Sequence, residues 1–358
     1  MQIGLIGMPF SGKTTLFNLL TGNLHPTDAS GTGEVHVGSA VVPDLRIDYL
    51  SDLYKPKKTS YARINFKDIP GVKMDDSKAR AAQMLDEVRS ADALVQVLRV
   101  FDNDEVNSMA GNPKPYLDLT NYRTELLLAD MDSLEKKIIN LENATKAAKE
   151  NTKKIELYKK ILEALENEDP VSSVDLTGEE KEFLSGHNFL SEKPLFLVIN
   201  LDEDQLLSGD YPERELINNY TEEHNIPLVE ICALAELEIG RLEPDEQTLF
   251  LEDLGLKESG LGLLARMTYD SLNLISFFTV GEDEVKAWSI RRGTSARKAA
   301  GKIHSDIERG FIRAEVFHFD FLQQLGSTVK VREAGHFRLE GKEYPVNDGD
   351  IINFRFNV

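Results

Sequence analysis

The sequence predicts an α/β fold, a parallel sheet covered by helices, with a helical hairpin inserted in it and a small α+β module after it. Three observations carry this. Strand-like apolar runs alternate with helical stretches over most of the first 275 residues. A glycine-rich loop, Gly7 to Gly12, stands between the first strand and the first helix. Residues 120–168 hold no glycine and no proline, whereas residues 276–358 turn to short strands.

Taken in order, residues 2–6 form a short apolar strand and residues 14–20 open an apolar-periodic helix. Residues 61–67 (YARINFK) alternate like a strand, with Asp68 at its end. Residues 93–100 (ALVQVLRV) form a continuous run suited to burial on both faces. Residues 195–199 form another, ending at Asn200, and residues 227–231 a third, ending near Cys232 and Ala233. In the hairpin, Leu127, Met131, Leu134, Ile138 and Leu141 recur at three and four, as do Ile155, Tyr158, Ile161, Leu162 and Leu165. The polar stretch 143–152 separates two antiparallel helices of coiled-coil type. In the last module, 285–290, 311–317, 336–340 and 350–356 read as strands, with turns at Gly341-Lys342 and Asp348-Gly349. The run ARKAAGKIHSDIERGF reads as one helix capped by Thr294 or Ser295.

Composition narrows the function classes. The chain has 358 residues, 41% apolar and 28% charged, the balance of a globular protein. No window is long and apolar enough to span a bilayer, and the start MQIGLIGMPFSGKTT lacks the basic segment and cleavage site of a signal peptide. One cysteine, Cys232, excludes an intrachain disulfide and a thiolate zinc cluster. The expectation is a reduced, cytoplasmic protein without membrane contact. A net charge of −20 disfavours generic nucleic-acid binding. The charge is uneven, however. Residues 276–358 hold 13 basic and 12 acidic side chains, which marks a module with its own surface character.

Gly7-Met-Pro-Phe-Ser-Gly12-Lys13-Thr14 has the spacing G-x-x-x-x-G-K-[ST], after a strand and at the start of a helix. Phosphate chemistry demands this arrangement. Glycines let successive N–H groups turn toward phosphate oxygens, and the helix N-terminus adds a positive dipole end. Lys13 supplies charge to the β- and γ-phosphates, and the Thr14 hydroxyl suits Mg²⁺. Asp68-Ile-Pro-Gly71 fits D-x-x-G, with Asp68 toward the metal and the Gly71 N–H toward the γ-phosphate. Thr27, Ser30 and Thr32 are the candidates for a switch hydroxyl. Asn200-Leu201-Asp202-Glu203 stands where GTPases carry N-K-x-D. Glu203 is one methylene longer than Asp, and Leu201 carries no charge, so the match to guanine's paired donors weakens and adenine becomes plausible.

The chain resembles the YchF / Obg-like ATPase family over nearly its full length. The resemblance rests on residues 7–15, on NLDE at 200–203, on FLEDLGLKESGL at 250–261 and on the long run from FFTVGEDEVKAWSIRRG to EYPVNDGDIINFRFNV. It implies a P-loop NTPase G domain at 1–118 and 190–275, an inserted α-helical coiled-coil hairpin at 119–189 and a C-terminal TGS-like β-grasp domain at 276–358. It further implies Mg²⁺-dependent hydrolysis of ATP, often in preference to GTP, and association with ribosomes or ribosomal RNA through the TGS-like and coiled-coil parts. Residue by residue, it places Pro9, Phe10, Ser11, Gly12, Lys13, Thr14 and Thr15 on the phosphate loop, with Lys13 and Gly71 in catalysis. Asn200, Leu201, Glu203, Cys232 and Ala233 fall at the base, and Thr14, Thr32 and Asp68 at the metal.

Two departures stand out. Phe10 replaces the Asn usual in the family, a residue that in related NTPases helps to hold potassium; phenylalanine ligates no cation. The stretch after D-x-x-G is short, Val72 to Asp76, and Val72 cannot orient an attacking water. The expectation is a slow nucleoside triphosphatase that switches a ribosome-associated factor. The alternatives are a nucleotide-dependent binding protein with negligible hydrolysis and a conventional GTPase. His224, His304, His318 and His336 show no metal-ligand spacing, and Trp288 reads as a core anchor.

Overall fold

The computed structural model describes residues 1–25, 34–71, 78–143 and 148–357. Thr27, Ser30, Thr32 and the stretch 72–76 lie outside the described residues. The chain divides into two compact units. The first comprises residues 1–19, 23–38 and 66–260, and the second residues 20–22, 39–65 and 261–358.

The first seven strands are β1 (Gln2–Ile6), β2 (His36–Val41), β3 (Lys58–Ser60), β4 (Arg63–Asp68), β5 (Ala93–Arg99), β6 (Leu195–Asn200) and β7 (Leu228–Ile231). All but β3 form one six-stranded sheet in the order β2-β4-β1-β5-β6-β7. β1 pairs in parallel with β5, β5 with β6, and β6 with β7. Every residue of β5 is buried, the polar Gln96 and Arg99 included, as expected of a strand covered on both faces. A parallel sheet presents the carboxyl ends of its strands on one edge, where ligands bind in open α/β folds. Asp68 and Asn200 stand at the last position of their strands, and the Gly7 loop and Cys232 directly follow theirs.

The inserted hairpin consists of helices Pro115–Glu142 and Ala148–Glu166. The first runs unbroken for 28 residues, about 42 Å. Its early turns belong to the sheet's cores: Leu119 packs with Leu98 and Ile199, and Tyr122 and Leu126 with Ile6 and Leu94. Its later turns, Leu127, Leu134 and Ile138, pack with Leu157, Tyr158, Ile161 and Leu165. The start of the insertion therefore falls inside one helix rather than at a loop. The Asp130 carboxylate, buried on this helix, accepts from the Leu190 and Ser191 amides and the Ser191 hydroxyl at 2.8–3.0 Å, fixing the return of the chain.

The second unit holds β8 (Leu274–Thr279), β9 (Glu284–Arg291), β10 (Phe311–His318), β11 (Arg338–Glu340) and β12 (Asp350–Phe356). With β3 they form a sheet of order β11-β10-β12-β8-β9-β3. β3 enters it in parallel with β9. Its core sets Ala296, Ala299 and Ala300 against Ile275, Phe277, Ile290, Val316 and Ile352. Trp288 stacks on Phe277 and its indole N–H donates to the Thr279 hydroxyl at 2.9 Å, a core anchor as expected.

This unit is more helical than expected. The run after Ser295 is two helices, Ala296–Ile303 and Ser305–Arg309, because His304 is extended and its ring nitrogen accepts from the Asp306 amide. The second helix folds back so closely that a side chain on Gly301 would strike the Glu308 carboxylate. Ser295 occupies the first cap but its hydroxyl makes no cap bond, and the Thr294 hydroxyl donates to the Arg291 carbonyl. Further helices span Phe319–Leu325 and Thr328–Glu333. The histidines have structural places: His318 caps a helix, His336 stacks on Phe321 and His224 on Tyr220. Among the described residues, no helix is long and apolar enough to cross a membrane.

Candidate nucleotide-binding site

The loop between β1 and the helix Lys13–Thr21 curls through three left-handed positions, Gly7 (φ 143°), Phe10 (φ 65°) and Gly12 (φ 91°). Gly12 could carry no side chain even without that conformation, since a β-carbon would collide with the Asn200 amide. Lys13 is 7% exposed, and its ammonium donates back to the carbonyls of Gly7 (2.9 Å) and Met8 (3.1 Å). Burial pushes its pKa down to about 8 against the opposing pull of Asp68. The ammonium is thus held inside the loop by two neutral acceptors, and a phosphate would replace them with full negative charge.

Thr14 and Asp68, 54 residues apart in sequence, meet at 2.7 Å, the Thr14 hydroxyl donating to Asp68 Oδ2. Asp68 is 5% exposed, and among the described residues its Oδ1 has no hydrogen-bond partner. A buried carboxylate oxygen left without a donor is costly, and oxygen ligands of this kind suit a hard divalent cation. Thr14 and Asp68 therefore fit Mg²⁺. Gly71 closes the cluster. A β-carbon there would stand 2.7 Å from the Gly7 carbonyl oxygen, 3.0 Å from the Pro9 nitrogen and 3.1 Å from the Lys13 ammonium. Only glycine lets this backbone lie so near the phosphate loop.

The base-reading candidates gather at the ends of β6 and β7. Asn200 is buried, donates from Nδ2 to the Ser11 carbonyl at 3.0 Å and accepts from the Ala233 amide at 3.4 Å. It ties the phosphate loop to the start of the helix Ala233–Ile239. Leu201 is buried with Leu98, Ile199, Tyr211 and Ile217, so it belongs to the core. Asp202 caps the helix Glu203–Ser208 and leaves Glu203, the first residue of that helix, exposed. Burial pushes the Cys232 thiol up, and the nearby negative charges of Glu203 and Asp202 add to it. Pro9 and Phe10 are half-buried in the loop, Ser11 is buried, and Thr15 is half-buried on the first helix.

Two residues that sequence reasoning passed over matter here. Glu236 is buried, accepting from the Ser259 hydroxyl and the Gly260 amide at 2.6 Å, which gives the stretch 250–261 a structural purpose. Arg99 ends β5 next to the loop's first half, 6% exposed. Its signal was an arginine inside an apolar strand.

Comparison with known proteins agrees with this arrangement. Residues 2–131 match the MMR_HSR1 family, described as a 50S ribosome-binding GTPase, and residues 274–357 match the YchF-GTPase_C family, described as a protein of unknown function. The chain is 39% identical to the ribosome-binding ATPase YchF of Bacillus subtilis (strain 168), covering 100% of both chains. It is 39% identical to the protein of that name from Pasteurella multocida (strain Pm70), over 100% of this chain and 99% of the other. The solved structure of the Schizosaccharomyces pombe YchF GTPase superposes with a TM-score of 0.86 at 30% identity, covering 99% of this chain and 97% of that one. A GTP-binding protein of Pyrococcus horikoshii OT3, 19% identical with a TM-score of 0.53, shares the fold, each chain covered in full. A phosphate loop, a D-x-x-G backbone against it, an inserted helical hairpin and full-length identity of this order together mean that the chain belongs to the YchF family of P-loop nucleoside triphosphatases.

Proposed function

We propose that the chain is a slow Mg²⁺-dependent nucleoside triphosphatase, favouring ATP and accepting GTP, that switches its association with ribosomes by the nucleotide it holds. The observation that carries this reading is the Thr14–Asp68 pair beside Lys13, with one Asp68 oxygen lacking a partner among the described residues. Lys13 would leave the Gly7 and Met8 carbonyls for the β- and γ-phosphates. In this reading the Gly71 N–H senses a γ-phosphate oxygen, which the closeness of the Gly71 backbone to the phosphate loop supports. Thr14 and Asp68 would hold Mg²⁺, which when bound neutralises phosphate charge. Thr32 completes the metal set in this reading. Asn200 orders the loop, and Glu203, with Cys232 and Ala233, faces the base; Leu201 supports them from the core. ATP preference is favoured by the exposed, longer carboxylate of Glu203. Ribosome association rests on the full-length similarity to proteins named ribosome-binding ATPases.

Equilibrium binding of non-hydrolysable ATP and GTP analogues with Mg²⁺ tests the base preference. Phosphate release over hours, with and without ribosomes, tests turnover and its stimulation. A clear GTP preference would remove the ATPase reading. A basal rate as high as that of a fast ATPase would remove the expectation of slow turnover that rests on Val72.

A further inference from the structure

The turn Cys232-Ala233 joins β7 to the helix Ala233–Ile239. That helix has seven residues, too few to be stable by itself. Its buried side chains are Ala233, Ala235, Glu236 and Ile239, and the two alanines have little apolar surface to bury. The Ala233 amide reaches the Asn200 side chain only at 3.4 Å, longer than the usual bond of this kind. Apolar packing and Asn200 therefore give this turn a loose hold.

Ser259 and Gly260 hold it from both sides. After the turn, the Glu236 carboxylate, 5% exposed, accepts from the Ser259 hydroxyl on one oxygen and from the Gly260 amide on the other, each at 2.6 Å. Bonds to an ionised acceptor are the strong ones, and the Gly260 N–H, first in the helix Gly260–Ser271, has no partner within its own helix. Before the turn, a β-carbon on Gly260 would stand 2.8 Å from Ile231 Cγ1 and 3.4 Å from the Glu230 carbonyl oxygen. The Gly260 backbone thus lies against the last residues of β7 and against Glu236 at once, spanning the turn between them. The phosphate and metal positions are built elsewhere, from Lys13, Thr14 and Asp68. We propose that Glu236, stapled to Ser259 and Gly260, is a positioning residue for the nucleoside end of the nucleotide: it fixes the turn Cys232-Ala233 at the base and leaves the phosphates to the loop. This rests on the reading that Cys232 and Ala233 face the base.

The test compares a ligand that has a base with one that has none. A non-hydrolysable ATP analogue and, separately, inorganic tripolyphosphate are titrated calorimetrically in Mg²⁺ into the full chain and its Glu236→Ala, Glu236→Gln and Ser259→Ala variants. Glu236→Ala removes both bonds, Ser259→Ala removes one, and Glu236→Gln keeps the shape and an acceptor for the Gly260 amide. Affinity for the ATP analogue should fall about tenfold in Glu236→Ala and about threefold in Ser259→Ala, with most of it restored in Glu236→Gln. Affinity for tripolyphosphate should stay within about twofold throughout, which a merely structural role would not produce. If Glu236→Ala fails to fold, Ser259→Ala carries the test. Equal losses for both ligands, or no loss for the analogue, would overturn the inference and leave the base reading standing. If the unaltered chain holds the analogue no more tightly than tripolyphosphate, the base reading falls and takes this inference with it.

Discussion

Nucleotide binding should take up a proton at alkaline pH, and Lys13 is the reason. Its ammonium is buried against neutral carbonyls, which lowers its pKa from 10.5 to about 8. The shift corresponds to about 3 kcal/mol against the charged form. Phosphates around the ammonium return the pKa to at least its ordinary range. Below the lowered pKa, Lys13 is charged both free and bound, so pH leaves affinity alone. Above it, the free site has lost the proton that the bound site keeps. Between about pH 7 and about pH 9.5 the dissociation constant should therefore rise ~30-fold, with close to one proton taken up per nucleotide at the higher value. Titration calorimetry in two buffers of different ionisation enthalpy reads that proton directly. The same linkage governs folding. The unfolded state binds the proton more tightly, so the nucleotide-free protein bears the full penalty below the lowered pKa and is relieved of it as pH rises toward 10.5. Lys13→Met should then stabilise the nucleotide-free protein by up to about 3 kcal/mol near neutrality, while removing stabilisation by nucleotide. Flat affinity over this range, with no dependence on buffer, would refute the reasoning.

Three further substitutions probe the site. Asp68→Asn and Thr14→Ala should each lower nucleotide affinity in Mg²⁺ and leave affinity in EDTA nearly unchanged; the double variant should fall short of the sum by about 1 kcal/mol, because the pair is in direct contact. Equal losses with and without Mg²⁺ would separate the pair from the metal. Glu203→Asp changes an exposed residue at a helix start, so it should shift competition between ATP and GTP toward GTP with less than about 0.5 kcal/mol effect on stability. No shift in that competition assay would mean that Glu203 does not read the base.

The phosphate loop was legible because its chemistry works through backbone and fixed spacing. Gly12, Lys13 and Thr14 must follow one another for the loop to close on phosphate, so their geometry is written locally. Leu201 was legible in part: its apolar packing was expected, and it lies in the core. Asn200 was legible only as a member of a base motif. Its bond to the Ser11 carbonyl, 189 residues away, depends on β6 lying beside β5, which no local pattern states. Arg99 was missed for the same reason, since its carbonyl partner belongs to a segment that returns over the end of β5. The helix after Ser295 was read too long because its apolar period continues through Ile307. What breaks it is His304, extended and capping the next helix through its ring nitrogen, after which the chain folds back to bring Glu308 against Gly301.

Residues 39–65 were the least legible, and they bear on how the carboxyl-terminal module stands alone. The family match to that module covers residues 274–357, yet the compact unit also holds the helix Leu45–Tyr54 and strand β3. Three residues, Lys-Thr-Ser, make β3, too few to show any period, and their partner β9 begins at Glu284. Arg46 donates to Asp348 at 2.8 Å while Asp348 also accepts from the Ser276 amide at 2.9 Å, and Tyr54 meets the Thr328 hydroxyl at 2.7 Å. Ile47 and Leu50 are fully buried on the same helix, which packs on β9. Burial of two such side chains contributes roughly 3–6 kcal/mol, and the half-exposed Arg46–Asp348 pair no more than about 1 kcal/mol. A fragment of residues 261–358 loses all of this and leaves β9 as an unpaired edge. Its urea midpoint, followed by the fluorescence of Trp288, the single tryptophan, should fall well below that of the full chain, and addition of a 39–65 peptide should raise it. A fragment as stable as the full chain would mean that residues 39–65 rest on a module already complete, and that the family match marks the true folding unit.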